Sequence, residues 1–132
     1  MLVAQLDRDL LRDAGVPIAC YELLSLLAIA PSSSMRMTEL ADATHSSPSR
    51  ITHAIDRMAA AGWVERQGCA EDRRGCSASL TSAGSTVLRN ATQKHDEIVR
   101  AHLLDHLSAA QVGELCSISR SVLDHLCSLR AR

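Results

Sequence analysis

The sequence predicts a mainly α fold carrying a small β-wing, and three observations support that expectation. Apolar residues make up 46% of the chain but aromatic ones only 2%. The core must therefore be Leu, Ile, Val, Ala and Met, which suits helices better than a β-sandwich. Residues 46–62 (SSPSRITHAIDRMAAAG) read as an amphipathic helix with arginines on its polar face. Residues 62–84 (GWVERQGCAEDRRGCSASLTSAG) then leave a helix stop as a short strand, turn through a charged loop centred on Asp72-Arg73-Arg74, and return as a second strand to a new helix start. A β-ribbon with a basic tip can reach a phosphate backbone or a minor groove. A helix followed by such a ribbon is the layout of a winged helix-turn-helix.

Each element follows from spacing and punctuation. Leu2, Val3, Leu6, Leu10 and Leu11 have helical spacing, and Ala14-Gly15-Val16-Pro17 breaks it. Pro17 suits the first turn of a second, broadly buried helix containing Leu23, Leu24, Leu26, Leu27 and Ile29. Pro31–Ser34 is expected as a loop. A short helix, TELADATH, follows with Thr38 as its cap. Ser47 as N-cap with Pro48 at the first helical position starts the next helix, whose buried stripe is Ile51, Ala54, Ile55 and Met58. Gly62 is its stop. Val64–Gln67 and Cys76–Leu80 are the two expected strands, the second alternating apolar and polar residues. Thr81 or Ser82 caps a long helix to about Leu107. Ser108 and Gln111 have capping-box spacing and open a last helix to about Leu129.

The 132 residues suit a single domain. Residues 17–84 form the head, and residues 1–16 and 85–132 form helical regions for self-association. The apolar stripes of the terminal helices exceed what a small head can cover, which predicts a homodimer. The net charge is −1, and residues 35–85 carry six basic and six acidic groups. A DNA-binding face must then come from local arrangement. The five cysteines are odd in number, include no CxxC, and follow no signal-like start, so reduced thiols in a cytoplasm are expected. The run Leu23–Ala30, interrupted by Ser25, is too short to span a bilayer.

At residues 39–66 (ELADATHSSPSRITHAIDRMAAAGWVER) and 71–84 (EDRRGCSASLTSAG) the chain resembles the MarR family of bacterial transcriptional regulators. The second stretch is the more specific, joining Asp72 and Arg74 to a strand exit at Leu80, Thr81 and Gly84. The resemblance runs from about Leu6 to Leu129. It implies a homodimeric regulator, a repressor, that binds a palindromic operator in double-stranded DNA and is released by a small-molecule effector. The recognition helix would enter the major groove and the wing arginine the minor groove. Arg74 would be that arginine, and Asp72 the carboxylate that orients it.

The DNA-binding candidates are thus Thr38, Ser47, Ser49, Arg50, Thr52, His53, Arg57, Asp72, Arg73 and Arg74. Ser49, Arg50 and His53 suit base edges, and Arg57 suits a phosphate. A solvated helix face and a merely soluble loop tip are the plainer readings of the same charges. The resemblance also suggests a phenolic or similar aromatic ligand near Val16, Cys20, Tyr21, Leu24, His95 and Val99.

Two sensing alternatives use other residues. His102 and His106, four apart on the predicted helix, have zinc-ligand spacing, though a pair of interface histidines is the plainer reading. Cys20 could sense oxidants, though buried inert cysteines are commoner. No cofactor motif is found. A zinc hydrolase built on the same histidines would lack HExxH and any nucleophile signal, so an enzyme is not expected. A winged helix that binds another protein is the remaining alternative.

Overall fold

The computed structural model describes residues 1–68 and 75–130. The expected wing tip, Asp72-Arg73-Arg74, lies outside the described residues. The fold is mainly helical with a three-stranded antiparallel sheet, the winged-helix arrangement the sequence predicts. Two compact units are present, Met1–Asp96 and Glu97–Arg132, with helix α5 running through the division.

In the first unit, α1 (Leu2–Ala14) packs on α2 (Ile18–Ile29) through Leu10, which is fully buried. Pro17 lies just before α2 as its N-cap and offers no side-chain acceptor. That acceptor comes from α1: the Asp7 carboxylate accepts from the Ile18 amide at 2.8 Å. A carboxylate there satisfies an otherwise unbonded donor and suits the positive end of the helix. Leu23, Leu24 and Leu27 of α2 then form the centre of the core with Leu40, Ile55 and Met58. Each such side chain contributes about 1.5–3 kcal/mol on burial.

Residues 31–36 depart from expectation. Pro31–Ser33 form a 3-10 turn, and Ser34–Arg36 form a strand, β1, where only a loop is expected. β1 pairs with β3 (Ser77–Leu80), which also pairs with β2 (Val64–Gln67). β3 is therefore central. Ser34 Oγ donates to the Ala78 carbonyl at 3.2 Å and meets Ser79 Oγ at 3.2 Å, joining the outer face of the sheet. The turn holds Ser32 at φ 55°, a left-handed conformation that disfavours residues with a Cβ. Ser32→Gly is therefore expected to stabilise the fold by about 0.5–1 kcal/mol. A lower urea midpoint in the variant would count against that reading of the turn.

Helix α3 (Met37–Thr44) begins one residue earlier than predicted, and Thr38 is not its cap. The Glu39 carboxylate instead accepts from the Arg36 amide at 2.9 Å. The pairing of β1 with β3 fixes where the helix can start, and the Met37 amide donates to the Cys76 carbonyl at 2.9 Å. Helix α4 (Pro48–Ala60) starts as predicted, with the Arg50 amide donating to Ser47 Oγ at 3.3 Å. It ends at Gly62, φ 79°, with Gly62 and Trp63 amides donating to the Ala59 and Met58 carbonyls. This double closure favours glycine because the left-handed residue would otherwise strain its Cβ.

Thr81, not Ser82, caps α5 (Ser82–His102): its Oγ1 accepts from the Gly84 amide at 3.0 Å and donates to the Gly62 carbonyl at 2.6 Å. α5 stops at His102, short of the expected Leu107, because Leu103 leaves helical geometry at φ −131°. Helix α6 (Ala109–Arg130) opens on the predicted capping box, with Ser108 and Gln111 exchanging amide-to-side-chain bonds at 2.8 and 3.2 Å. Its apolar residues Leu115, Ile118, Val122, Leu123, Leu126 and Leu129 are all exposed in the single chain. Cys20, Cys116 and Cys127 are free thiols, whereas Cys76 is disulfide-bonded, against the expectation of reduced thiols throughout.

Candidate nucleic-acid interface

Helix α4 separates its residues by face. Ile51, Ala54, Ile55 and Met58 are buried, while Ser49, Arg50, His53, Asp56 and Arg57 are exposed. The apolar stripe anchors the helix on α2 and α3, and this anchoring presents the polar face to solvent. The positive end of the helix dipole also lies at this first turn, beside Arg50.

Beside this face lies a cleft of about 760 Å³ lined by Met37, Thr38, Pro48, Ser49, Thr52, His53, Arg66 and Cys76. The start of α3, the first two turns of α4 and the root of the wing meet there. Thr38, Ser49, Thr52 and His53, four of the predicted residues, are thus brought together. Ser47 adjoins them, its Oγ lying 3.3 Å from Ser49 Oγ. Thr52 Oγ1 donates to the Pro48 carbonyl at 3.0 Å. Its hydroxyl proton is therefore committed, and toward a ligand it can serve only as an acceptor. Arg50 and Arg57 extend the face along the helix. Asp72, Arg73 and Arg74 are outside the described residues.

Two residues that sequence reasoning left out complete the site. Arg66, on β2, donates through Nη1 to Asp56 Oδ1 of α4, and through Nη2 to Cys76 Sγ at 3.6 Å. The signal was present in the strand's period of two. Val64 is buried, so Arg66 lies on the same inward face of β2.

The effector candidates fall into two groups. Val16, Cys20 and Leu24 are buried core residues. Tyr21 and His95 stack, with ring centroids 4.7 Å apart and an interplanar angle of 23°. Among the described residues His95 Nδ1 is buried without a hydrogen-bond partner; Asp96 Oδ1, at 3.6 Å, is beyond hydrogen-bond reach. Val99 lies in the second unit. Burial pushes the Cys20 thiol up from its ordinary value, outweighing the attraction of Arg57. That favours the protonated, less reactive form. The zinc spacing of His102 and His106 is lost, because α5 ends at His102 and His106 sits in a separate 3-10 turn. Among the described residues no group of three or more His, Cys, Asp or Glu side chains could hold a metal ion.

A model of the MarR family matches residues 14–75, which span the helix-turn-helix and β2. Sco3205, a MarR family transcriptional regulator from Streptomyces coelicolor whose crystal structure is in complex with DNA, is 42% identical. It superposes with a TM-score of 0.82 over 95% of this chain and 81% of that one. The chain belongs to the MarR family. Members of this family are transcriptional regulators, not enzymes. The multiple antibiotic resistance protein MarR of Escherichia coli K12 is 30% identical over 73 residues, which cover 55% of this chain and 51% of that protein. The transcriptional repressor MprA of the same organism is 27% identical over 117 residues, covering 89% of this chain and 66% of that one. The matched regions thus span between half and two thirds of these curated relatives. No helix among the described residues of this MarR family chain is long and apolar enough to cross a membrane.

Proposed function

We propose that this MarR family chain is a cytoplasmic repressor that binds a palindromic operator as a homodimer. The observation that carries the reading is the exposed face of α4 set beside the wing root. One buried stripe fixes the helix, and Ser49, Arg50, His53 and Arg57 face outward beside a cleft of duplex-contacting chemistry. Ser49, Arg50 and His53, near the helix start, contact base edges in the major groove. Arg57 contacts a phosphate, and Arg74, oriented by Asp72, enters the minor groove. Arg73 adds phosphate attraction.

Dimerisation is supported by the apolar stripe of α6, exposed in the single chain. A two-fold dimer repeats the reading head at the spacing of a palindrome. Repression is supported by the similarity to MprA, a transcriptional repressor. A small aromatic effector, stacking at Tyr21 and His95, releases the operator by favouring a dimer geometry unable to bind DNA. The His95 Nδ1, buried and without a hydrogen bond among the described residues, supports a ligand that brings a polar group.

The test is binding to DNA flanking the protein's own gene across a salt series, for wild type and Arg74→Ala. Wild type should bind tightly and lose affinity steeply with salt. Arg74→Ala should bind at least about tenfold more weakly with a slope shallower by about two, one for each copy. Salt-independent or absent binding by wild type would direct the search to a protein partner. Equal binding by Arg74→Ala would remove the wing from the interface.

A further inference from the structure

We infer that the Asp56–Arg66 ion pair is a positioning element, holding the root of the wing against α4 so that helix and wing engage one duplex together. This inference rests on the DNA-binding reading above and adds to it a residue pair that touches no base.

The geometry is specific. In the sheet register Arg66 lies directly opposite Ala78, and Val64 opposite Leu80. Val64 and Ala78 are buried, so Arg66 continues the inward face of the sheet toward α4. Its guanidinium spans three segments at once: β2 itself, Asp56 on α4, and Cys76 just before β3. Cys76 in turn accepts the Met37 amide through its carbonyl, which ties the same point to the start of α3. A planar guanidinium with a fixed fork suits such a bracket, because each bond sets the direction of the next.

Charge supports a positioning role over direct contact. Asp56 lies one turn beyond Thr52 and two beyond Ser49, on the face that approaches the polyanion. A bare carboxylate there would repel phosphates. Arg66 neutralises it and spends its own charge in doing so, so the pair presents no net charge to the duplex. The side chains are 31% and 51% exposed, so the pair is not a source of much fold stability. Its effect is on angle, not on folding.

The distinguishing prediction has an unexpected sign. Asp56→Ala removes a negative charge from a DNA-facing surface, which by electrostatics alone should tighten binding. If the pair positions the wing, Asp56→Ala weakens specific binding about tenfold, and Arg66→Met does the same. The double variant is no worse than either single, because residues in one network do not add. Arg66→Lys, which keeps one ion pair, recovers part of the loss. Binding to random-sequence DNA is undiminished or tighter for Asp56→Ala, since that binding follows charge and not geometry.

Fluorescence anisotropy with operator and random duplexes, on variants whose thermal midpoints match wild type, reads all of these. Asp56→Ala binding the operator as tightly as wild type overturns the inference, as does an Arg66→Met loss that is equal on operator and random DNA with a salt slope lower by about two, one for each copy. The latter result would make Arg66 a phosphate contact. Failure of the DNA-binding reading itself looks different, because wild type would then bind neither duplex.

Discussion

Gly84→Ala should be among the most damaging single substitutions in the head, costing about 3 kcal/mol and lowering the thermal midpoint by roughly 10 °C. Gly84 is buried at the first turn of α5. A Cβ built there collides with the Trp63 carbonyl oxygen, and lies 2.8 Å from Leu80 Cδ1 and 2.9 Å from the Trp63 carbonyl carbon. The obstacle is backbone, and that backbone is held from two sides. The Trp63 amide donates to Met58 at 2.9 Å, and the Trp63 carbonyl accepts from Thr81 at 3.1 Å. Moving α5 away to fit the methyl group would also stretch the Thr81 cap, itself worth about 1 kcal/mol. Gly113, in the second turn of α6, gives the contrast. A Cβ there meets nothing within 4 Å, so Gly113→Ala should stabilise by up to about 1 kcal/mol. Urea or thermal unfolding of both variants checks the pair. A Gly84→Ala midpoint near wild type would mean that the close approach of α5 to Trp63 is not rigid.

That contact also explains a sequence pattern in physical terms. Leu80, Thr81 and Gly84 form one knot: Leu80 packs at Gly84, Thr81 caps the helix and bonds the Gly62 carbonyl, and Gly84 leaves room for Trp63. The end of α4, the end of β3 and the start of α5 are thereby fixed to one another.

What the sequence made legible was local. Ser47-Pro48, the Gly62 stop and the Ser108–Gln111 box each use residues within a few positions of one another, and each forms the bonds its spacing predicts. The alternation that marks β3 is likewise a local pattern. What escaped was tertiary. β1 is three residues, Ser-Met-Arg, with no period to detect, and its bonds run to a strand more than forty positions away. The start of α3 moved because β1 sets it. Arg66 was overlooked because its partner Asp56 sits ten residues away on another element, although the parity of β2 already placed its side chain inward. The histidine spacing failed for the opposite reason: Leu103 ends α5 between two residues whose pairing needed an unbroken helix.

Charging the α6 stripe should abolish the proposed dimer and, with it, specific operator binding. Ile118, Val122, Leu126 and Leu129 recur at intervals of three and four and are 62, 54, 52 and 55% exposed. Spacing of that kind gathers them on one side of the helix, while Ser117, Arg120 and Asp124 lie on the other. A contiguous apolar stripe of this length marks an interaction surface, and burying each side chain against a second copy is favourable by an amount of order 1 kcal/mol or more. Val122→Glu with Leu126→Glu places four like charges at the centre of a two-fold interface, two from each copy, where desolvation and repulsion both oppose association. Sedimentation should then show a monomer at micromolar concentration. Operator affinity should fall about 10²–10⁴-fold, the gain that a linked second half-site supplies. Binding to random DNA should change far less, because each head keeps Arg50 and Arg57. Ser117→Glu, on the opposite side of α6, should leave the assembly and the operator affinity unchanged. A double variant that remains dimeric would move the interface to another surface, such as exposed Leu2, Val3 and Leu11 of α1. A monomer that still binds the operator at wild-type affinity would show that one head suffices, and the palindrome would lose its physical basis.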